Sequence, residues 1–488
     1  MTSAPIANDR VLVGRGTWLL VIAVTVICFL TTNLPWELDD YDQAQQAFTS
    51  FEMIKEGHWF YQRTPHELIA QKPPLVGWVS AGFFAATRSW ALAWRLPSLI
   101  CAGVLAYCVW RAATIAYGSL PGLVALSAFS LNLLTVRLAT LVRTDMPLAL
   151  ALFLAGWLVF EKLRRGEPWT ARDRWMFCVL IALSMWIKGP FAFVFLLPAQ
   201  IVMALYYRKK SVAGAGPGWW PWLVSVALFA PWLAGGLLLY PTFYKQIIGF
   251  EVVSRFSTNV HHPYPIYFYI AHLLHKFAPW SILSTALAVI AWRNRRVISP
   301  PTVWLLLWSL TGLAIMSLVP SKRVDRVYSI IAPLSLLLAA QVAAVISNPE
   351  RRNACVQWLR VCLAAAVVFT LGYTTWKIGF GYHDHLDALR QFGKSARNDA
   401  QLHDRRFQVI SGLSGSEGML LYLDKLHFTE PEEAVQEWNR GDIDALVLPT
   451  NATDEVLPQL QGDRSVTLRS THRNSQPRVD YELVVKNR

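Results

Sequence analysis

The feature that most constrains this chain is a series of long apolar runs, each close to the length of one membrane-spanning helix. A helix needs about 20 apolar residues to cross the hydrocarbon core of a bilayer. Eleven such runs follow one another, at 17–34, 96–110, 119–136, 146–160, 174–187, 190–206, 219–240, 266–292, 301–318, 328–346 and 357–379. The pattern predicts an α-helical polytopic membrane protein with about 11 to 13 transmembrane helices.

The composition supports this class of protein. Of the 488 residues, 54% are hydrophobic and 16% are charged, whereas an ordinary soluble domain has about 25% charged residues. So much apolar surface excludes a disordered chain and argues against a soluble enzyme.

The sequence changes character near residue 380. Residues 1–380 hold 32 Lys and Arg against 15 Asp and Glu, a net charge of +17, whereas residues 381–488 hold 13 against 17, a net charge of −4. The second part alternates strand-like runs (RFQVISG, ALVLPT, SVTLRS, YELVVKN) with helical ones (GMLLYLDK, EPEEAVQEWNRG). We therefore predict a membrane body over 1–380 and a small, soluble α/β domain over 381–488.

The basic residues predict orientation rather than nucleic-acid binding, because they lie in short loops between apolar runs. Such loops are RAATIAYG, EKLRRGEPWTARDR, YYRKK, RNRR and NPERR, and all fall on one side of the predicted membrane. That side is expected to be cytoplasmic, together with the N-terminus, and the run at 17–34 is expected to be an uncleaved span. An odd number of spans then puts the C-terminal domain outside the cytoplasm, which is the periplasm if the cell is Gram-negative.

The opposite side contains a long loop, residues 35–95. Within it, DQAQQAFTSFEMIKEG places apolar residues at helical spacing and predicts an amphipathic surface helix that begins at Asp42. A second apolar helix follows the turn at QKPP.

Two carboxylates on this side are candidates for acid or base chemistry. Asp42 begins the predicted surface helix, and Asp145, in LVRTDMPL, begins the fourth span. The alternative is that each caps its helix. Asp39 and Asp40, next to Asp42, are expected mainly to solvate the loop.

Cations gather on the same side, against the usual charge bias. They are Lys72, Arg137, Arg143, Lys188, Lys322, Arg323 and Arg326. Lys and Arg are the usual partners of phosphate, so we expect a lipid phosphate there; simple headgroup contact is the alternative.

An aromatic and histidine-rich segment, RFSTNVHHPYPIYFYI, precedes the eighth span. His261 and His262 are candidate metal ligands, although neighbouring histidines without a carboxylate nearby are a poor metal signature. Tyr264 and Tyr267 fit either an interfacial aromatic belt or a platform for a sugar.

The ordered series of motifs resembles a known family. DQAQQAFTSFEMIKEGHWF, QKPPLVGW, WRLPS, RTDMPL, IKGP, HHPYPIYFYI with FAPWS, and PSKRVDRVYSIIAPL follow one another between residues 35 and 340. This order is similar to that of GT-C membrane glycosyltransferases of the bacterial aminoarabinose (lipid A) transferase and protein O-mannosyltransferase-like families. The C-terminal domain lies outside the resemblance.

The resemblance implies an inverting glycosyltransferase that passes a sugar from a polyprenyl (undecaprenyl) phosphate donor to an acceptor: lipid A, another glycolipid or glycan, or a protein. It implies that Asp42 is the catalytic carboxylate and that Asp145 is the second acidic residue. The other implied roles are donor-phosphate binding by Lys72, Lys188, Lys322, Arg323 and Arg326, and substrate binding by Gln71, Arg143, His261, His262, Tyr264 and Tyr267.

The sequence departs from the family pattern at two motifs. Asp42 is followed by Gln43 and Gln45 instead of a Glu and an Arg, and Gln71 replaces the Glu that pairs with a His as a metal ligand in the family. No cofactor is therefore assigned, and His262 is only a weak candidate for holding a divalent metal.

Two other functions fit the same features. A transporter or flippase for a lipid-linked sugar also needs buried charges and many spans, but the sequence shows no internal repeat. An oligosaccharide ligase shares the fold and the type of donor.

Overall fold

The computed structural model describes residues 14–38, 41–207, 216–249, 263–293, 298–384, 389–411, 417–470 and 480–487. Contacts divide the chain into two compact units, each built from separated stretches. The first unit comprises Met1–Thr32, Gln71–Val76 and Arg95–Thr375. The second comprises Asn33–Ala70, Gly77–Trp94 and Trp376–Arg488. Most of the long loop, expected in the same domain as the spans, thus belongs to the same unit as the C-terminal part.

The first unit is helical, and every apolar run predicted from the sequence forms one or more helices. Its helices are Arg15–Thr31, Leu96–Tyr117, Ser119–Ser130, Leu133–Leu138, Asp145–Arg165, Ala171–Lys188, Ala192–Phe195, Leu197–Tyr206, Trp220–Leu239, Phe268–Lys276, Trp280–Arg293, Pro300–Leu318 and Ile331–Ile346, with a π-helical turn at Tyr244–Gly249 and a 3₁₀ helix at Val324–Ile330. A further helix, Pro349–Asp384, has its residues up to Thr375 in this unit.

Six helices among the described residues are long and apolar enough to cross a membrane, and eight spans result if each of two sharply bent helix pairs is counted as one. The chain is therefore a multi-pass membrane protein, as predicted. One bent pair joins the runs 174–187 and 190–206, which we had counted as separate spans, at an angle of 119°. Gly189, with φ +78°, and Pro190 end the first helix of this pair. The predicted number of eleven spans stays a prediction.

A close contact between two helices positions the helix that begins at Asp145 and the loop that carries Lys322. The indole of Trp304 donates a hydrogen bond to the carbonyl oxygen of Gly156 at 3.0 Å. A Cβ atom on Gly156 would lie 2.3 Å from the ring of Trp308, so only glycine fits. This contact packs helix Asp145–Arg165 against Pro300–Leu318, and the loop after the latter carries Lys322 and Arg323.

The second unit contains the predicted amphipathic surface helix, which runs over Tyr41–Glu56 and has Asp42 in its first turn. Other helices assigned wholly or largely to this unit are Leu75–Thr87, Trp90–Ala93, Leu389–Leu402, Glu417–Leu423, Pro431–Arg440 and Thr453–Val456. The surface helix is joined to the C-terminal part: Lys55 pairs with Asp424 at 3.1 Å, and the Tyr422 hydroxyl accepts the Leu38 N–H at 2.8 Å.

The predicted α/β character of the C-terminal part is confirmed. Its strands are β1 (Phe407–Val409), β2 (Ala445–Pro449), β3 (Arg464–Arg469) and β4 (Tyr481–Lys486). In the described part of the chain they form one sheet in the order β1-β2-β4-β3, in which β1 and β2 are parallel and the other pairs are antiparallel. All five residues of β2 are buried, and Trp438 of helix Pro431–Arg440 lies in the same core.

Candidate functional site

Asp145 is held in a buried ion pair in the first unit. It is the first residue of helix Asp145–Arg165 and is only 6% exposed. Its Oδ1 atom lies 2.5 Å from Nζ of Lys188, the last residue of helix Ala171–Lys188. An anion at a helix N-terminus and a cation at a helix C-terminus both complement the helix dipoles. Asp145 and Lys188, both predicted to belong to the site, are therefore direct partners.

Further positive charge surrounds this pair. The charges of Arg143 and Lys72 act on the Asp145 carboxylate together with that of Lys188. Lys72 is half-buried in the turn before helix Leu75–Thr87. The structure thus brings four residues predicted for the site into one electrostatic cluster, with more positive than negative charge.

Asp325 is a functional candidate that sequence reasoning did not single out. It lies in the 3₁₀ helix Val324–Ile330 and accepts a hydrogen bond from the guanidinium of Arg143. Arg137 and Arg323 approach the same carboxylate at 4.0 Å and 3.8 Å. The signal was present, because Asp325 is the only acidic residue among the cations of PSKRVDRVY.

The three arginines around Asp325 differ in their exposure to solvent. The side chain of Arg143 is 5% exposed, whereas those of Arg137 and Arg323 are 34% and 44% exposed. Arg143 is thus the structural partner of Asp325. Arg137 and Arg323 are more accessible to an anion.

Lys322 and Arg326 make short-range contacts that shape their loop. Nζ of Lys322 donates to the carbonyl oxygens of Val319 and Tyr264 at 2.7 and 3.0 Å. Arg326 donates to the carbonyl oxygen of Ser321 at 2.5 Å. Burial lowers the pKa of Lys322 from its ordinary value. The contacts show how this loop is held; the predicted phosphate-binding role of both residues stays a prediction.

The aromatic candidates lie on the surface of the first unit. The side chains of Tyr264 and Tyr267 are 48% and 63% exposed, and the ring of Tyr264 packs on Phe268 with centroids 4.8 Å apart. The Tyr264 N–H donates to the carbonyl oxygen of Pro320 at 3.2 Å, which joins this segment to the loop of Lys322. The predicted His261 and His262 lie outside the described residues.

Gln71 does not provide the carboxylate that a family-type metal site requires. It is half-buried directly before Lys72, and its side chain is a neutral amide. Divalent metal sites of this type rely on anionic or imidazole donors. The donor at this position does not fit the implied metal, and no step of the proposed reaction uses one.

The surface helix of the second unit carries Asp42, which is half-buried in the first turn. Burial, together with the negative charges of Glu417 and Asp42, raises the pKa of the neighbouring Tyr41. Gln43 and Gln45, where the family has a Glu and an Arg, are buried in the same helix. Asp39 and Asp40 lie outside the described residues.

The same helix contains Glu52, which the sequence analysis passed over. Glu52 is fully buried and accepts a hydrogen bond from Nδ1 of His58. Burial raises its pKa to about 7, although His58 opposes this shift. No feature of the local sequence distinguishes Glu52 from a surface glutamate, because its burial depends on packing.

Apolar helices that bring a carboxylate and several cations together describe a polytopic membrane protein, and superposition on solved structures shows that its fold is the GT-C fold. The structure superposes on ArnT from Cupriavidus metallidurans, solved bound to undecaprenyl phosphate, with a TM-score of 0.71 at 15% identity, covering 97% of this chain and 98% of that one. The archaeal oligosaccharyltransferase AglB from Archaeoglobus fulgidus gives 0.51 at 11% identity, over 90% of this chain and 70% of that one.

Sequence comparisons agree with the resemblance predicted from the motifs. Residues 71–234 match the family described as dolichyl-phosphate-mannose-protein mannosyltransferase. An undecaprenyl phosphate-alpha-4-amino-4-deoxy-L-arabinose arabinosyl transferase of Sodalis glossinidius is 30% identical over 67% of this chain and 59% of its own length. The Serratia proteamaculans protein of that name is 28% identical over 73% and 66%. The chain thus matches about three fifths to two thirds of the length of these curated relatives.

Proposed function

We propose that this chain is a membrane glycosyltransferase that moves a sugar from a polyprenyl phosphate, such as undecaprenyl phosphate, to an acceptor outside the cytoplasm. The observation that carries the proposal is the cluster in the first unit, in which Lys188, Arg143 and Lys72 act on Asp145. The names of the relatives and the undecaprenyl phosphate bound to ArnT support this choice of donor.

The donor phosphate is bound by cations. Guanidinium and ammonium groups bind phosphate oxygens through short, charge-assisted hydrogen bonds. Lys72, Arg137 and Arg323 are candidates because their side chains are partly accessible. Negative charge grows on the phosphate as it leaves the sugar, and fixed cations stabilise that charge most in the transition state.

Asp42 acts as the general base. In the proposed step the acceptor hydroxyl oxygen attacks the anomeric carbon, its proton passes to the Asp42 carboxylate, and the bond from that carbon to the phosphate oxygen breaks. The configuration at the anomeric carbon inverts. Asp145 acts as a positioning residue, because its charge is engaged by Lys188.

The proposed location is the bacterial inner membrane, with the N-terminus in the cytoplasm and the C-terminal part in the periplasm. The support is the run of basic loops on one side of the predicted membrane. The acceptor is an envelope lipid such as lipid A, another glycan or a protein, and membrane lipids surround the spans.

The likeness to AglB favours one second candidate, an oligosaccharide ligase. A ligase transfers a preassembled glycan, whereas the proposed enzyme transfers one sugar. A flippase would move a lipid-linked sugar across the membrane without making a glycosidic bond.

Mass spectrometry of envelope lipids and glycans, from cells with and without the gene, tests these functions. We expect a mass equal to one sugar to disappear from an acceptor in the deletion strain while a polyprenyl phosphate sugar accumulates. Loss of a whole oligosaccharide would favour the ligase. Purified protein that moves the donor across vesicles, yet forms no glycosidic bond, would contradict transfer.

A further inference from the structure

A second cluster of charged side chains lies at the end of the surface helix, within the second unit. One ligand atom from each of Glu52, Glu56 and His58 falls within 4.8 Å of the others. Nδ1 of His58 lies 3.5 Å from Oε2 of Glu56 and closer to Oε1 of Glu52. Gly57, with φ +81°, turns the chain directly after the helix and returns His58 toward Glu52.

An independent feature of Glu52 indicates a ligand. The residue is fully buried; the backbone of Arg63 interacts with its carboxylate, but the Oε2 atom has no hydrogen-bond partner of normal geometry among the described residues. Buried carboxylate oxygens are almost always satisfied, because burial without a partner costs the oxygen its hydration. A cation at this oxygen would remove that cost.

The neighbours of the cluster favour a metal ion over a simple ion pair. Nε2 of His427 lies 2.8 Å from Oε1 of Glu56, so the other oxygen of Glu56 is oriented toward His58. Hydrogen-bonded carboxylate ligands of this kind are typical of metal sites. The side chains of His58 and Glu56 are 34% and 25% exposed, so solvent reaches these two members of the cluster.

We propose that Glu52, Glu56 and His58 form a binding site for a divalent transition metal, zinc by its donor set, with water as the remaining ligand. Zinc binds imidazole nitrogen and carboxylate oxygen at about 2.0–2.2 Å. In a tetrahedral site, two such ligand atoms therefore lie about 3.4 Å from each other. The distance of 3.5 Å between His58 and Glu56 already fits this geometry. In the proposed site the ion replaces the hydrogen bond between His58 and Glu52.

This site differs from the metal position implied by the resemblance, because it uses neither Gln71 nor the histidine pair at 261 and 262. It is also independent of the proposed transfer reaction. The ion would fasten the end of the surface helix whose first turn carries Asp42, and would thereby stabilise the second unit.

Zinc binding by the full chain tests the proposal. The protein is purified in detergent, stripped with a chelator and titrated with Zn²⁺, with bound metal counted by mass spectrometry and the unfolding temperature measured in parallel. We expect one zinc ion per chain and a higher unfolding temperature. Co²⁺ in place of Zn²⁺ should give visible absorption bands typical of a tetrahedral nitrogen and oxygen site.

Variants locate the site. Loss of a group that only orients a metal ligand lowers metal affinity by about 10- to 100-fold. Because Glu52, Glu56 and His58 are the proposed ligands themselves, Glu52→Gln, Glu56→Gln and His58→Asn should each weaken zinc binding by more than about tenfold. Glu56 and His58 are partly exposed, so their variants should fold even if Glu52→Gln does not. Matched controls are the exposed His66→Asn and Glu67→Gln, and the double variant His261→Ala/His262→Ala, all expected to bind as wild type.

The proposal fails if the wild-type chain binds no zinc. It also fails if Glu56→Gln and His58→Asn bind as tightly as the controls, or if the double histidine variant alone loses the metal. Because none of these readouts is sugar transfer, the result does not depend on the proposed function.

Discussion

The two units present carboxylates that look alike in sequence but differ in their surroundings. Asp145, in the first unit, is 6% exposed and lies 2.5 Å from the Lys188 ammonium. Asp42, in the second unit, is half-buried in the first turn of an amphipathic helix. Both are aspartates in the first turn of a helix, and the sequence offers no measure of how deeply each one is buried.

This difference favours different tasks for the two residues. A carboxylate paired with a buried lysine is a weak base, because taking up a proton would leave the lysine charge uncompensated. A more accessible carboxylate can exchange a proton with a bound hydroxyl group. Asp42 is therefore the better candidate for proton transfer, and Asp145 for holding cations in place.

The largest effect is expected at Asp42. Because a general base contributes about 10²- to 10⁴-fold to a rate, Asp42→Asn should slow sugar transfer by that factor while donor binding stays close to wild type. Initial transfer rates and donor affinity of the purified full chain measure both. Asp454→Asn, which changes an exposed aspartate in the first turn of another helix, is the matched control. A rate close to wild type would remove Asp42 from the proton-transfer role.

The next effect is expected at the buried pair of the first unit. Removing one partner of a buried ion pair costs about 3–5 kcal/mol, because the other charge stays buried alone. Asp145→Asn and Lys188→Met should each lower the unfolding temperature in detergent. The double variant should lose less than the sum of the two single losses. Additive losses would mean that the two side chains do not interact as the structure indicates.

A smaller effect is expected at Asp325. The Asp145 charge would still act on Arg143, so Asp325→Asn should cost only the hydrogen bond to a charged group, about 1.5–3 kcal/mol. Because Arg137 and Arg323 also face Asp325, the variant should in addition change the affinity for the donor phosphate. Donor titrations at several salt concentrations measure this change, with the exposed Glu350→Gln as control. Unchanged donor affinity would make Asp325 purely structural.

Much of the fold could be predicted because membrane helices are encoded locally, by the length and composition of each apolar run. The strands of the C-terminal part were equally visible as short β-branched runs. The grouping of the long loop with the C-terminal part could not be predicted. It depends on contacts such as that between Leu38 and Tyr422, which are 384 positions apart and have no local signature.

For the candidate site in the first unit, the individual residues could be predicted from the sequence but their contacts could not. Charged residues on the wrong side of the predicted membrane stood out, so Asp145, Lys188 and Arg143 were found individually. Their pairing was not predictable, because it requires helix ends 43 positions apart to meet. Glu52 was missed for the same reason: its burial, which makes it chemically unusual, comes from tertiary packing.

The smallest effect is expected at an ion pair that contrasts with Asp145 and Lys188. Arg440 and Asp442 of the second unit approach to 3.0 Å, but their side chains are 64% and 55% exposed. Water and salt screen such a pair, which is typically worth no more than about 1 kcal/mol. Asp442→Asn should therefore leave the unfolding temperature nearly unchanged and independent of salt concentration. A loss as large as that of Asp145→Asn would show that burial is not what separates the two pairs.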